Sequence, residues 1–252
     1  MNVARSPLSR QNKQEVLGRL RKEILLLQGF TPSSDAVIDV ELGPIKNSFP
    51  NGVFPTGAIH ELISAGPESA AASGAFVSGI TAALMARGGA CLWISAARRV
   101  FPPALKSFGI EPDRVVFIDL KKEREVLWAV EEALKCEGLA AVVGEIRDLD
   151  FTASRRLQLA VEQSRVTGFI LRDNPRNRNT NAAVARWMIR PVASQTPVAN
   201  MPGIGHPRWQ VELLKIKNGK TGSWEMEWAA GRFQVLVPER IESHPGERRQ
   251  TG

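Results

Sequence analysis

Between residues 57 and 172, short apolar runs take turns with longer stretches of helical periodicity, and this alternation restricts the available architectures more than any other feature of the chain. The runs "AIHELIS" (58–64), "ACLWIS" (90–95), "RVVFIDL" (114–120), "LAAVVGEI" (139–146) and "TGFILR" (167–172) read as buried strands. Residues 74–87, 103–109, 123–136 and 152–165 between them carry helical spacing; in the third stretch Val126, Leu127, Val130 and Leu134 share one face. Neighbouring parallel strands need a crossover, so β-α alternation predicts an α/β fold whose mainly parallel sheet is covered by helices. After residue 207 the pattern changes. "RWQVELLKIKNGKTGSWEMEWAAGRFQVLV" reads as strand, Asn-Gly turn, strand, turn, strand, an antiparallel meander at one edge. There Trp224, Met226 and Trp228 alternate with Glu225 and Glu227, as a half-buried hairpin requires.

The flanks read differently. Residues 1–29 are expected to hold an amphipathic helix over 6–29, with Ser6 as cap, Pro7 in its first turn, and Val16, Leu17, Leu20, Ile24 and Leu27 on one stripe. With Arg5 it carries six Lys or Arg against Glu15 and Glu23, a net +4. Such a stripe packs on its own domain or on a partner. Residues 30–49 read as a linker rich in Gly, Pro, Ser and Asn, residues 50–238 as the core, and residues 239–252 as a disordered polar tail. A net charge of +7 over 252 residues suits an anionic partner such as nucleic acid, a membrane surface or an acidic protein. Cys91 and Cys136 have no CxxC spacing and are expected to be buried thiols, and His60, His206 and His244 have no metal-ligand spacing, so no metal is expected. No apolar run approaches the roughly 20 residues of a membrane span, and no signal-peptide pattern opens the chain, which makes a cytoplasmic protein the expectation.

The stretch "SAGPESAAASGAF" (64–76) follows the first strand, where a nucleotide-binding protein carries G-x-x-x-x-G-K-[ST]. In that motif glycines let backbone N–H groups wrap the phosphates, the lysine bridges them, and the hydroxyl binds Mg²⁺. Counted from Gly66, through Pro67, Glu68 and Ser69, the second glycine falls at Ala71, the lysine at Ala72 and the hydroxyl at Ser73. Two of the three chemical parts are missing.

"FPNGVFPTGAIHELISAGPES" (49–69) resembles the entry to the RecA ATPase core, and the order of the following elements fits that resemblance over roughly residues 50–237. The resemblance implies a water-activating glutamate after the second strand, where this chain has Ala97 followed by Arg98. It implies a Mg²⁺-holding aspartate near the end of "LAAVVGEI", where this chain has Gly144; Glu145, one residue on, is expected on the opposite side of the strand. The strand that would end in a phosphate-sensing glutamine ends "FILRDNP". These losses lead us to expect no ATP hydrolysis and no cofactor at the vestigial loop.

A RecA-like core without its ATP residues is similar to the ImuA family of bacterial mutagenesis cassettes, which is grouped with SulA-like cell-division inhibitors. That resemblance implies a non-catalytic accessory role in DNA-damage-induced translesion synthesis. The implied partners are an ImuB-like Y-family polymerase homologue, RecA and single-stranded DNA, with self-association as a further expectation. Two other classes stay open. One is a nucleotide-binding ATPase in which Lys121, Lys122 or a residue of a partner replaces the missing lysine; the other is a SulA-like inhibitor. The segment "LRDNPRNRNTNAAVARWMIRP" (171–191) lies where RecA-like proteins carry a DNA-contacting loop. Its Arg172, Arg176, Arg178, Arg186 and Arg190 suit phosphate contacts or an acidic partner, and Trp187 either stacks on a base or lies buried beneath the loop.

Overall fold

A computed structural model describes residues 38–97, 99–176, 180–195 and 205–236. The expected helix at 6–29 with Leu17, Leu20, Ile24 and Leu27, the tail at 239–252, Arg98 and Arg178 lie outside the described residues. The chain divides after Ile38, and Asp39–Gly252 forms one compact unit. Nine strands make one sheet: β1 (Ile59–Ser64), β2 (Ala90–Ser95), β3 (Val115–Asp119), β4 (Leu139–Glu145), β5 (Thr167–Asp173), β6 (Ala185–Val192), β7 (Arg208–Ile216), β8 (Gly222–Ala229) and β9 (Arg232–Val235). Their order is β3-β2-β4-β5-β1-β6-β7-β8-β9. The first six in that order run parallel, and β6 to β9 pair antiparallel. This is the mainly parallel α/β sheet with antiparallel C-terminal strands that the alternation predicts, consistent with a RecA-like core.

Helices α1 (Pro67–Met85), α2 (Glu123–Ala133) and α3 (Phe151–Ser164) complete the layers. Ile59, Ile94, Val142 and Ile170 pack with Val126, Val130, Leu157 and Val161, which places α2 and α3 on one face of the sheet. The alternate residues face α1, where Phe76 meets Trp187 and Trp209. The small residues of α1 permit close approach on this same side. A Cβ at Gly79 would stand 2.6 Å from Phe233 and 2.8 Å from Trp228, so this glycine seats the C-terminal strands on the helix. Trp228 Nε1 also donates to the Ser107 carbonyl at 2.7 Å, in the 3-10 turn Pro102–Phe108 that replaces the expected helix at 103–109.

Two expectations change here. Val40, Leu42, Ile45 and Phe49, read as part of a linker, are buried, because the 3-10 turn Gly43–Ser48 lays its apolar side against the core. Cys136 is exposed, since it follows the end of α2, while Cys91 is buried and its thiol is pushed up to about 12 by desolvation.

His60 sits on the α1 side of β1, stacked on Phe54 at 4.5 Å between centroids and flanked by Phe169 and Trp187. Its Nε2 lies 2.7 Å from the Pro55 carbonyl, and Trp187 Nε1 donates to its Nδ1 at 3.3 Å. Both ring nitrogens are satisfied in the neutral form. Burial lowers its pKa from 6.5 to about 4, partly opposed by the Pro55 carbonyl. Below pH 6.5 the unfolded chain takes up a proton that the folded chain refuses, so the fold loses stability as pH falls through that window. The loss by the lower limit is about 3 kcal/mol. Urea unfolding across the window is expected to show that extra acid sensitivity in the wild type and not in His60→Leu, even though the variant is weaker at neutral pH.

Candidate functional site

In open α/β sheets, ligands bind beyond the carboxyl ends of the parallel strands. At that edge β1 ends in Ser64 and α1 begins at Pro67, with Gly66 as its cap. The segment aligned with a phosphate loop is therefore the cap and first two turns of a helix, which corrects the expectation that the helix starts at residue 74. Pro67 at the first position and Ala70, Ala71 and Ala72 after it supply strong helix signals where the motif has flexible glycine. Pro67 has no N–H, and the Ala70 N–H donates to the Gly66 carbonyl at 2.9 Å. The following amides are committed to helical bonds in the same way. Ser73, at the Mg²⁺ position, is only 1% exposed, and its Oγ hydrogen-bonds the Ser64 Oγ at 3.0 Å.

The carboxylates differ from the sequence reading. Gly144 faces α2, where a Cβ would stand 2.5 Å from Val130 Cγ2. Glu145 therefore lies on the α1 side and accepts from Trp93 Nε1 at 2.9 Å. Our assignment of Gly144 to the loop-facing position is thus corrected by one residue: the strand presents Glu145 there. Desolvation raises the Glu145 pKa, opposed by the Trp93 hydrogen bond and by Arg99. Asp173, at the end of β5, pairs with Arg99 at 2.5 Å and, with Asp119 at the end of β3, adds negative charge around Glu145. Among the described residues, the Glu145 and Asp173 carboxylates and Arg99 thus gather at the ends of β4 and β5, the strands nearest β1 on that side. Ala97 is exposed in the turn after β2. Lys121 and Lys122 follow β3, four strands from β1, or about 19 Å at normal strand spacing. Lys122 pairs there with Glu125 at 3.6 Å.

The arginine segment is divided between strand and loop: β5 runs to Asp173 and β6 begins at Ala185, so Arg172, Arg186 and Arg190 lie in strands and Arg176 does not. Trp187 is 1% exposed and packs against Phe49, Phe76 and His60, so of its two expected roles burial holds and base stacking is corrected. Arg172 is equally buried. Its NH1 meets Glu61 Oε1 at 2.5 Å, its Nε donates to the Arg147 carbonyl at 3.0 Å, and Asp148 lies 3.8 Å away. Arg186 Nε meets the other Glu61 oxygen at 2.5 Å. These two arginines are corrected from ligand contacts to an internal ion network, forced by the buried Glu61 carboxylate on the central strand. Arg176 is exposed, with its N–H donating to Asp148 Oδ1 at 3.1 Å, and Arg190 pairs with Glu212. The apolar run "AVARWMI" was a legible strand signal, and a glutamate inside an apolar run was the cue for a buried cation.

Among the described residues no cluster of His, Cys, Asp and Glu could hold a metal ion, and no helix is long and apolar enough to cross a membrane. No protein-family model matches the chain. The chain is similar to Protein ImuA of Caulobacter vibrioides strain NA1000 / CB15N, with 36% identity over 195 residues that cover 73% of this chain and 80% of the relative. Protein ImuA of Caulobacter vibrioides strain ATCC 19089 / CIP 103742 / CB 15 matches with the same identity and coverage.

Proposed function

Because the chain belongs to the ImuA family, we propose that it is a non-catalytic accessory protein of a DNA-damage mutagenesis system, with a RecA-like core that has become a scaffold for partners. The observation that carries this reading is the conversion of the phosphate-loop segment into the first turns of α1, closed by the Ser64–Ser73 hydrogen bond. A phosphate cradle needs several free amides and a lysine. Here the amides from Ala70 onward serve the helix, Ala72 stands at the lysine position, and Glu145 and Asp173 repel phosphate. These residues do not fit ATP. The proposed partners are an ImuB-like protein, with RecA or single-stranded DNA as further contacts.

Calorimetric titration with Mg²⁺–ATP, run beside a hydrolysis assay with and without single-stranded DNA, is expected to give neither heat nor turnover. Micromolar binding would overturn the reading. Ser73→Ala is expected to leave cellular mutagenesis intact, since its hydroxyl faces Ser64 rather than solvent.

A further inference from the structure

Arg172 and Arg186 are spent inside the molecule, and a positive edge lies instead where the parallel strands begin. At that end β1, β5 and β6 start at Ile59, Thr167 and Ala185, β7 finishes at Ile216 and β8 starts at Gly222. The segments that meet there, 42–60, 165–169, 180–188 and 213–224, contain Lys46, Arg165, Arg186, Lys215, Lys217 and Lys220 and no Asp or Glu. Two of these cations are committed: Arg186 to Glu61, and Lys215 to the carbonyls of Asn181 and Ala183 at 2.8 and 2.9 Å. The other four are exposed, and Lys46 and Lys220 make no ion pair among the described residues. Of the carboxylates bordering these segments, Glu61 and Glu212 are paired with arginines, and Glu162 is held by Arg155 and Gln158. Glu41 lies toward β9, where Gly43 meets Val235, and Glu225 stands opposite Gln210, three residues up β8.

Two Lys-Asn turns come together on this edge. The Lys220 amide donates to the Ser48 carbonyl at 2.9 Å, and the Lys217 amide to the Val184 carbonyl at 2.8 Å. Gly219 lets the turns meet, because a side chain there would strike the Ser48 carbonyl. Lys46 and Asn47 are thereby presented beside Lys217, Asn218, Lys220 and Thr221, all of them exposed. The accumulated charge is felt beneath the surface: the Lys215 ammonium is pushed below the ordinary lysine range by burial first, then by Arg186 and, more weakly, by Lys217, against Glu61. Lysine, asparagine and threonine side chains bind phosphate oxygens without demanding a base sequence. A protein partner would look for apolar anchors between the charges, and among the described residues neither turn exposes a large apolar side chain. Given DNA as one of the proposed partners, we infer that this edge holds the phosphodiester backbone of DNA, with Lys46, Lys217 and Lys220 on the phosphates.

Fluorescence anisotropy of a labelled oligothymidylate, titrated with the full chain at several salt concentrations, tests this. Lys46→Ala, Lys217→Ala and Lys220→Ala together are expected to weaken binding at low salt by about tenfold or more. They are also expected to flatten the slope of log K against log salt by about two, since each phosphate contact on a single strand contributes about 0.7. All three side chains are exposed, so an unchanged melting curve will show that the fold survives. Lys46→Arg, Lys217→Arg and Lys220→Arg together are expected to keep the wild-type slope. Lys106→Ala, Arg124→Ala and Lys135→Ala, which remove the same charge from other exposed positions, are expected to change it little. An equal loss in this second set would mean that net charge alone drives binding, and overturns the inference. DNA bound by the triple lysine-to-alanine variant with the wild-type slope overturns the assignment of this edge while leaving DNA as a partner. No binding by the wild type at any salt removes DNA as a partner and overturns the inference with it. A preference for polyglutamate over oligothymidylate assigns the edge to an acidic protein and overturns it too. The Mg²⁺–ATP titration reads the non-catalytic role independently of these outcomes.

Discussion

Glu61→Gln is expected to lower folding stability by about 3 kcal/mol or more, although the substitution preserves shape and lies far from any exposed surface. Glu61 is wholly buried on β1 and accepts from Arg172 and Arg186 through its two oxygens. Removing its charge leaves the Arg172 guanidinium, itself buried, with the Arg147 carbonyl and a longer contact to Asp148. Arg186, nearer the surface, relaxes toward water at lower cost. The pair therefore behaves asymmetrically. Glu61→Gln combined with Arg172→Met is expected to be less damaging than Glu61→Gln alone, because the second change removes the charge that the first has stranded. Equilibrium urea unfolding of the three variants checks this. Additive losses would mean that Glu61 and Arg172 contribute independently, contrary to the network read here.

The second large effect concerns the position where a RecA-type enzyme would hold its metal. Gly144→Asp writes an acidic residue into the aligned position, and by sequence alone it looks like a restoration. The structure predicts a loss of about 4 kcal/mol, made of overpacking against Val130 and burial of a carboxylate between β4 and α2. Thermal unfolding is the measurement, with Gly144→Ala as the companion. The alanine variant is expected to lose less, since it carries the clash without the charge. A stable Gly144→Asp protein would mean that β4 can shift its register and present that residue to the α1 side. Glu145→Gln, by contrast, keeps a partner for Trp93 and is expected to be mild.

The helical start of α1 shows how far composition could be read. Alanine in place of glycine led us to expect that the loop chemistry is absent, but not that the segment is helix from Pro67. That required knowing that the amides had found carbonyls of their own. The same limit explains the arginine segment. Arg172, Arg176, Arg186 and Arg190 look alike as a list of cations. They separate only when strand pairing puts Arg186 opposite Glu61, two residues from the row of Arg172, and leaves Arg176 beyond the end of β5.

By itself the sequence determined the layer architecture, because the spacing of apolar residues is a local property: a run buried on both faces and a 3.6-residue stripe each declare their element without reference to the rest of the chain. It also determined which residue types stand at the positions aligned with a phosphate loop, because identity needs no coordinates. Only the tertiary structure decided which side of a strand a residue faces, as with Glu145 and Gly144, and which buried charge meets which. A shift of one residue reverses every side chain of a strand, and a carboxylate at position 61 finds its arginines more than a hundred residues away through pairings that no local pattern encodes.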